Sequence, residues 1–362
     1  MIRNLQIVNY RSIKDINLSF ERLNVIFGPN GCGKSNLYKA IELLSSAASG
    51  QVAKTLSDDG GLENVMWSDN KNKKNSPRRI KLLCETNDFE YEIQIGFPLQ
   101  LPYPSHFELD PIIKEENIWA PGFNQRPSSL VLSRKNQNIT VLDSEGQKTI
   151  HRGSIYENES FFSQLSEPHL YPEVSQVREA IRNWRFYHEF DVTRKSVIRQ
   201  PQIGFRAPVL ASDGVNLAAA YQTIVEIGNV ELLNEVLHLA FPDSRFYCLN
   251  DKSRFHMMMQ RDGVSRPFSI SEFSDGTIRF LCLAVGLLSP RPPSLIVLNE
   301  PENSLHPQLY PALAKLISEA SEYSQIWLTS HSTQLAELIS SYKSFKFYEL
   351  SIESGETLAQ EK

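Results

Sequence analysis

Cysteine is scarce in this chain. Cys32, Cys84, Cys248 and Cys282 are the only four among 362 residues, and they lie far apart with no Cys-x-x-Cys pair. That spacing excludes a disulfide framework and a cysteine zinc site, and it predicts reduced thiols. Metal-ligand spacing is missing as well, so His106, His151, His169, His188, His238 and His256 read as structural. Long apolar runs are absent. The longest, Phe280 to Leu288, falls short of a bilayer span, and the opening MIRNLQIVNY holds no apolar signal segment. A cytoplasmic location with no membrane partner is expected. Positive charge is not in excess: a formal charge of −5 and a pI near 6.0 require any nucleic-acid contact to come from a local patch. There is no internal repeat, and no heptad pattern long enough for coiled-coil arms. What is present is 41% hydrophobic residues, enough to build a core over one large domain or two ordinary ones.

Strands are predicted at residues 2–8 and across Ile16 to Phe27, where Glu21-Arg22 breaks the apolar pattern. Ser35 to Ser46 then carries Leu37, Ala40, Ile41 and Leu44 at helical spacing. Residues 51–79 are polar and read as an exposed connection with a basic run, KNKKNSPRR. From Arg79 to Ser154, the alternating segments IKLLCE, FEYEIQIGF, SSLVLS and ITVLD between turn residues predict an antiparallel β region. Residues 159–190 and 213–240 predict helices, and Arg254 to Gln260 a strand.

Four stretches carry chemistry. The first, GPNGCGKS at 28–35, fits G-x-x-x-x-G-K-S between a predicted strand and helix. Its backbone N–H groups suit a β-phosphate, with Gly28, Gly31 and Gly33 allowing the tight path. Lys34 reaches the β- and γ-phosphates, and the Ser35 hydroxyl suits Mg²⁺. Second, LIVL at 295–298 is a continuous apolar run typical of a strand buried on both faces, and Asn299 and Glu300 follow at its ligand-facing end. Glu300 suits the activation of a water. Third, TSHS at 329–332 follows the apolar IWL, so His331 also stands at a strand end. Fourth, in ISEFSDGTIRF at 270–280, Ser274 suits a helix cap, and with Gly276 it forms a second anion site.

Together these motifs resemble ABC-type ATPases, and more closely the group of RecF, SMC and OLD proteins. NYRS after the first strand, with Tyr10 and Arg11, and Leu305-His306-Pro307 after the acidic motif fit that group. The resemblance implies an α/β fold with a mostly parallel core sheet, an antiparallel β subdomain and a helical insertion. It implies an ATPase core at about 1–50 and 265–362, with 80–264 inserted as a partner or DNA surface. It also implies ATP and Mg²⁺ as ligands, with Gly28, Asn30, Gly31, Cys32, Gly33, Lys34, Ser35, Asn36 and Arg11 around the nucleotide. Ser35 and Asn299 would hold the metal. Glu300 and His331 would act with Lys34 in hydrolysis, and Ser274 and Gly276 would complete the site of a second copy in an ATP-dependent homodimer.

Asn299 stands where such sites hold an aspartate. It keeps an acceptor oxygen but loses the charge, so weaker metal affinity and slow hydrolysis are expected. For Glu302, a structural hydrogen bond to the following loop is the favoured role. Slow turnover suits a switch. With no room after His331 for a Toprim-like nuclease, a separate effector such as a nuclease or toxin is expected, in antiphage defence or DNA maintenance. The alternative is a RecF-like clamp on duplex DNA that uses Lys71, Lys73, Lys74, Arg78 and Arg79.

Overall fold

The computed structural model describes residues 1–67, 79–98, 105–122, 125–142, 147–151 and 155–362. Lys71, Lys73, Lys74 and Arg78 of the basic run lie outside them. The described chain forms two compact units. One comprises Met1–Glu21, Gly28–Trp184 and Tyr348–Lys362, and the other Arg22–Phe27 and Arg185–Phe347.

The first unit is built on an eight-stranded sheet. Its strands are β1 (Ile2–Tyr10), β2 (Ile13–Ser19), β4 (Arg79–Thr86), β5 (Glu90–Gly96), β6 (Ile112–Trp119), β7 (Leu130–Lys135), β8 (Asn138–Leu142) and β9 (Lys148–Ile150), while β3 (Leu23–Phe27) belongs to the second unit. The order is β2-β1-β4-β5-β6-β7-β8-β9, and every neighbouring pair is antiparallel. This corrects the expectation of a mostly parallel main sheet. Where strands follow one another closely, as β1–β2, β4–β5 and β7–β8 do, short turns dictate this, because parallel strands need crossovers of a dozen residues or more. At Thr86–Phe89, for example, the Thr86 hydroxyl accepts the N–H groups of Asp88 and Phe89 and closes a tight hairpin. Since β1 pairs with both β2 and β4, the first two strands share a sheet with strands of the 80–264 region.

Helices α1 (Lys34–Ala48), α4 (Phe161–Gln164) and α5 (Pro172–Arg182) pack together in this unit. Two short helices, α2 (Val52–Asp58) and α3 (Leu62–Val65), occupy the stretch expected to be a polar loop. They bury Val52, Leu56, Leu62 and Val65, a sparse apolar stripe hidden among polar letters. Inside the sheet, Glu116 and Arg134 form a fully buried pair 3.6 Å apart. Burial pushes the Glu116 carboxyl up, while Arg134 and hydrogen bonds from Ser160, Tyr91 and the Phe161 N–H pull it down. Arg134 also donates to the carbonyls of Asn136, Tyr156 and Glu159, so the pair ties the 156–161 segment to β6 and β7. A hairpin of β17 (Lys346–Glu353) and β18 (Glu356–Glu361) completes the unit, with register from Tyr348↔Glu361 to Glu353↔Glu356.

The second unit holds the parallel strands that the motifs imply. β10 (Arg185–Tyr187), β15 (Leu295–Asn299) and β16 (Gln325–Ser330) run parallel with β3 in the order β10-β15-β16-β3. Every residue of β15 and β16 is buried. β10 interrupts the helix expected over 159–190, because Tyr187 enters the core beside Leu298. Helices α6 (Leu217–Ile227), α7 (Val230–Ala240), α8 (Asp275–Leu287), α9 (Tyr310–Ala320) and α10 (Thr333–Tyr342) share one apolar core with the parallel strands. A small antiparallel sheet, β11 (Gln202–Ile203), β12 (Ser244–Asp251), β13 (Arg254–Arg261) and β14 (Phe268–Ser269), belongs to the same unit. Among the described residues, no helix is long and apolar enough to cross a membrane.

Candidate functional site

In the first unit, the Gly28–Gly33 loop follows the end of β3 and opens α1. Gly31 and Gly33 have φ of +82° and +103°, a region that costs L-residues with a side chain. A Cβ on Gly33 would lie 2.2 Å from Thr357 Oγ1, and one on Gly28 would lie 2.6 Å from Cys32 Sγ. The loop is therefore pressed against its support. Thr357 donates to the Cys32 carbonyl at 3.0 Å and accepts from Ser12 Oγ at 2.5 Å, while Ser12 accepts from Asn36 Nδ2 at 2.7 Å. Each hydroxyl spends its single proton in one direction, so the chain Asn36→Ser12→Thr357→Cys32 is fixed. Thr357 carries no motif and sequence reading misses it, while Ser12 closes the NYRS stretch without a role of its own having been read there.

Lys34 is buried, and its ammonium donates to the carbonyls of Gly28 (2.6 Å) and Pro29 (3.1 Å). Cys32 is buried, whereas Asn30, Gly31 and Ser35 are exposed. Arg11, at φ +51°, forms an ion pair with Asp59 at 2.9 Å, and Lys39 pairs with the same carboxylate. Burial pushes Asp59 up, but the hydrogen bonds from Lys39 and Arg11 prevail and hold its carboxyl below the usual range. The donor set fits a polyphosphate. Two positive-φ glycines, a lysine on the loop, an exposed Ser35 hydroxyl and a first turn of α1 without an acidic residue suit an anion.

In the second unit, the ends of β15 and β16 bring the acidic motif and the histidine together. Asn299 pairs with Thr329 in register and is buried. The Thr329 hydroxyl accepts the Glu300 N–H at 3.2 Å and donates to Asn299 Oδ1 at 2.6 Å. That fixes the amide, so Asn299 Nδ2 donates to His188 Nδ1 at 2.5 Å. Both ends of the Asn299 amide are thus engaged. His188, read from sequence as an ordinary histidine, gains this place because β10 lies beside β15.

Glu300 turns the chain at φ +49°, and its N–H also bonds the Thr329 carbonyl at 3.0 Å. Asn303 Nδ2 donates to Glu300 Oε2 at 2.8 Å. Glu302 is 3% exposed, and its Oε1 accepts from Ser330 Oγ at 2.5 Å and from the His331 N–H at 3.0 Å. The His331 Nδ1 stands 3.8 Å from Glu300 Oε1 and 3.6 Å from Glu302 Oε1. In the signature segment, the Ser274 hydroxyl accepts the Thr277 N–H at 3.1 Å and caps α8. A Cβ on Gly276 would approach the Ser304 carbonyl to 3.1 Å, and Ser304 itself turns at φ +63°. Arg199, unmarked in the sequence reading, is buried behind this segment and bonds the carbonyls of Ile270 and Phe273 as well as Asp275.

A phosphate loop after a parallel strand, an acidic strand end and a capped signature helix define a P-loop ATPase of the ABC type. Residues 23–337 match the family described as "AAA domain, putative AbiEii toxin, Type IV TA system", and the chain belongs to that family. Among curated proteins, RecF of Bacillus cytotoxicus, a DNA replication and repair protein, is 51% identical over 49 residues. The OLD nuclease of Thermus scotoductus is 43% identical over 44 residues. These matches cover 13% and 12% of this chain, and only 13% and 8% of those relatives' lengths. Two solved structures share the fold over the whole chain. An SMC head bound to the C-winged helix domain of ScpA gives a TM-score of 0.56 at 13% identity, with 98% of that chain covered. An SMC head with an extended coiled coil, bound to a ScpA C-terminal domain derived from Pyrococcus furiosus, gives 0.53 at 14% identity, with 96% covered. The chain is an ABC-type ATPase of the RecF/SMC/OLD group.

Proposed function

We propose that this protein is a slow ATP-driven switch that dimerises on ATP and controls a separate effector. Lys34 and the loop amides bind the phosphates, with Asn30, Asn36 and Arg11 around the nucleotide. Ser35 holds Mg²⁺ with a contribution from Asn299. Mg²⁺, when bound, neutralises charge on the phosphate oxygens. Glu300 orients and deprotonates the attacking water, and His331 contacts the γ-phosphate. The observation that carries the reading is the strand-end cluster, in which Glu300 and Glu302 flank the His331 imidazole within 4 Å. Ser274 and Gly276 act on the partner copy's nucleotide, since the chain has one phosphate loop and one signature segment.

The ATPase work falls to 1–50 and 265–362, and 80–264 provides the partner surface. The effector is a nuclease or toxin acting in antiphage defence or DNA maintenance inside the cytoplasm. Two SMC heads of this fold are bound to a domain of another protein, ScpA, which supports a switch that works through a partner. The test is ATP turnover in Mg²⁺ by the wild type, Asn299→Asp and Glu300→Gln, each with and without duplex DNA. Slow wild-type turnover that vanishes in Glu300→Gln and rises in Asn299→Asp is the expected result. ATP-dependent association without any wild-type turnover would make the protein a nucleotide-gated scaffold and remove Glu300 as the base.

The RecF match over 49 residues favours a second reading, an ATP-dependent clamp on duplex DNA. A DNA affinity that falls steeply with salt supports it, because each neutralised phosphate releases counterions. A flat salt profile counts against it.

A further inference from the structure

The second unit links Asn299 to the signature segment through one stretch of chain. His188, on the Asn299 amide, is followed by Glu189, whose carboxylate lies 3.8 Å from Arg279 on α8. Phe190, Val192 and Ile198 then anchor the stretch in the core. It ends at Arg199, 7% exposed, whose Nε donates to the Val192 carbonyl at 2.8 Å. The same guanidinium donates to the carbonyls of Phe273 at 2.8 Å and Ile270 at 3.3 Å, and pairs with Asp275. Ser274 therefore sits between two residues held by Arg199.

We propose that residues 188–199 are a strap by which position 299 sets the presentation of the signature segment, with His188 and Arg199 as positioning residues. This deepens the switch reading and rests on it. It also accounts for the asparagine. An aspartate would offer only acceptors to the Thr329 hydroxyl and to His188 Nδ1, so His188 could keep the contact only as a donor, with its ring proton moved to Nδ1. An amide satisfies both. Asn299 thus trades charge at the metal for a mechanical link to α8. The guanidinium fork serves several carbonyls at once, which a lysine point charge cannot reproduce.

The experiment uses the full chain, with four readouts: ATP-dependent association by sedimentation, turnover, ATP affinity of the monomer, and half-saturating Mg²⁺. His188→Leu and Arg199→Lys are each expected to weaken association and lower turnover by about tenfold, the size of an ordinary coupling free energy, at unchanged ATP affinity and Mg²⁺ half-saturation. His188→Asn, which restores an acceptor near the Nδ1 position, recovers most of the loss. The double variant His188→Leu/Arg199→Lys loses little beyond either single one, because both cut the same strap. Ser274→Arg serves as the reference and blocks association outright. If Ser274→Arg blocks association while His188→Leu behaves as wild type, or changes only the melting temperature, the strap is wrong and the switch stands. If Asn299→Ala instead raises half-saturating Mg²⁺ without touching association, position 299 acts at the metal alone and the strap is again wrong. If wild type and Ser274→Arg associate alike with ATP, the dimer reading falls and takes the strap with it.

Discussion

The phosphate loop of the first unit and the strand-end cluster of the second are both packed tightly, but by opposite means. Around Gly28–Ser35, neutral hydroxyls and backbone carbonyls do the holding, through Thr357, Ser12 and Asn36, and the first turn of α1 carries no acid. Around Asn299–Glu302 and Thr329–His331, two carboxylates crowd one imidazole, and one of them is almost fully buried. An anion site must keep acceptors away so that its N–H groups stay available. A site that takes a proton from water must concentrate them. The difference teaches that binding and turnover are separable in this chain, and substitutions on either side should break one without the other.

The largest effect is expected on the acidic side. Glu300→Gln keeps the shape and the bond from Asn303 but removes the base, so turnover falls by about 10²–10⁴ while ATP affinity stays near wild type. Single-turnover kinetics beside equilibrium binding of a fluorescent ATP analogue would show the split. Lys34→Ala should do the reverse. Losing a charge-assisted contact of roughly 1.5–3 kcal/mol weakens ATP binding by about 10- to 150-fold. A loss of affinity in Glu300→Gln equal to that in Lys34→Ala would erase the distinction.

A smaller effect sharpens the loop side alone. Thr357→Val keeps the volume but removes a buried hydroxyl, the donor to Cys32 and the acceptor for Ser12. The cost is about 1–2 kcal/mol of stability, read by urea unfolding, with ATP affinity several-fold lower because the loop loses its backing. Turnover per bound ATP should not change.

How far these sites could be read from letters follows from what fixes each one. The phosphate loop is a local object, whose glycines, lysine and serine are consecutive and whose special backbone is written in residue type. Its support is not local: Thr357 reaches Cys32 across 325 positions, and only the β17–β18 hairpin brings them together. The same holds for His188, which looked structural until β10 took its place beside β15. The parallel strands were legible because apolar runs such as Leu295–Leu298 mark strands buried on both faces. The antiparallel character of the largest sheet was half legible. The alternation in β4, β5, β7 and β8 showed strands, but nothing in β1 says that it pairs with β4 rather than with the parallel set. Arg199 illustrates the limit, since a lone arginine in a polar stretch gives no sign that the 270–275 segment closes over it.

The smallest expected effect probes the charge that the loop side does tolerate. Asp59 is held between Arg11 and Lys39, and their hydrogen bonds keep its carboxyl below the ordinary value of about 3.9 despite partial burial. A depressed carboxyl stabilises the fold in its charged form. Its contribution is therefore complete above the unfolded value and disappears as pH falls through the lower, folded one. Wild type should then be more stable than Asp59→Asn at neutral pH, by a margin that shrinks only below about pH 4 and closes in stronger acid. Urea midpoints for both proteins across that range measure it. Because Arg11 sits at φ +51° and its N–H bonds the Val65 carbonyl, the turn after β1 is held by backbone as well as by charge. ATP affinity at neutral pH should accordingly change less in Asp59→Asn than in Thr357→Val. The opposite order would mean that Arg11, released from Asp59, alters phosphate binding directly, and that the loop side is governed by charge after all.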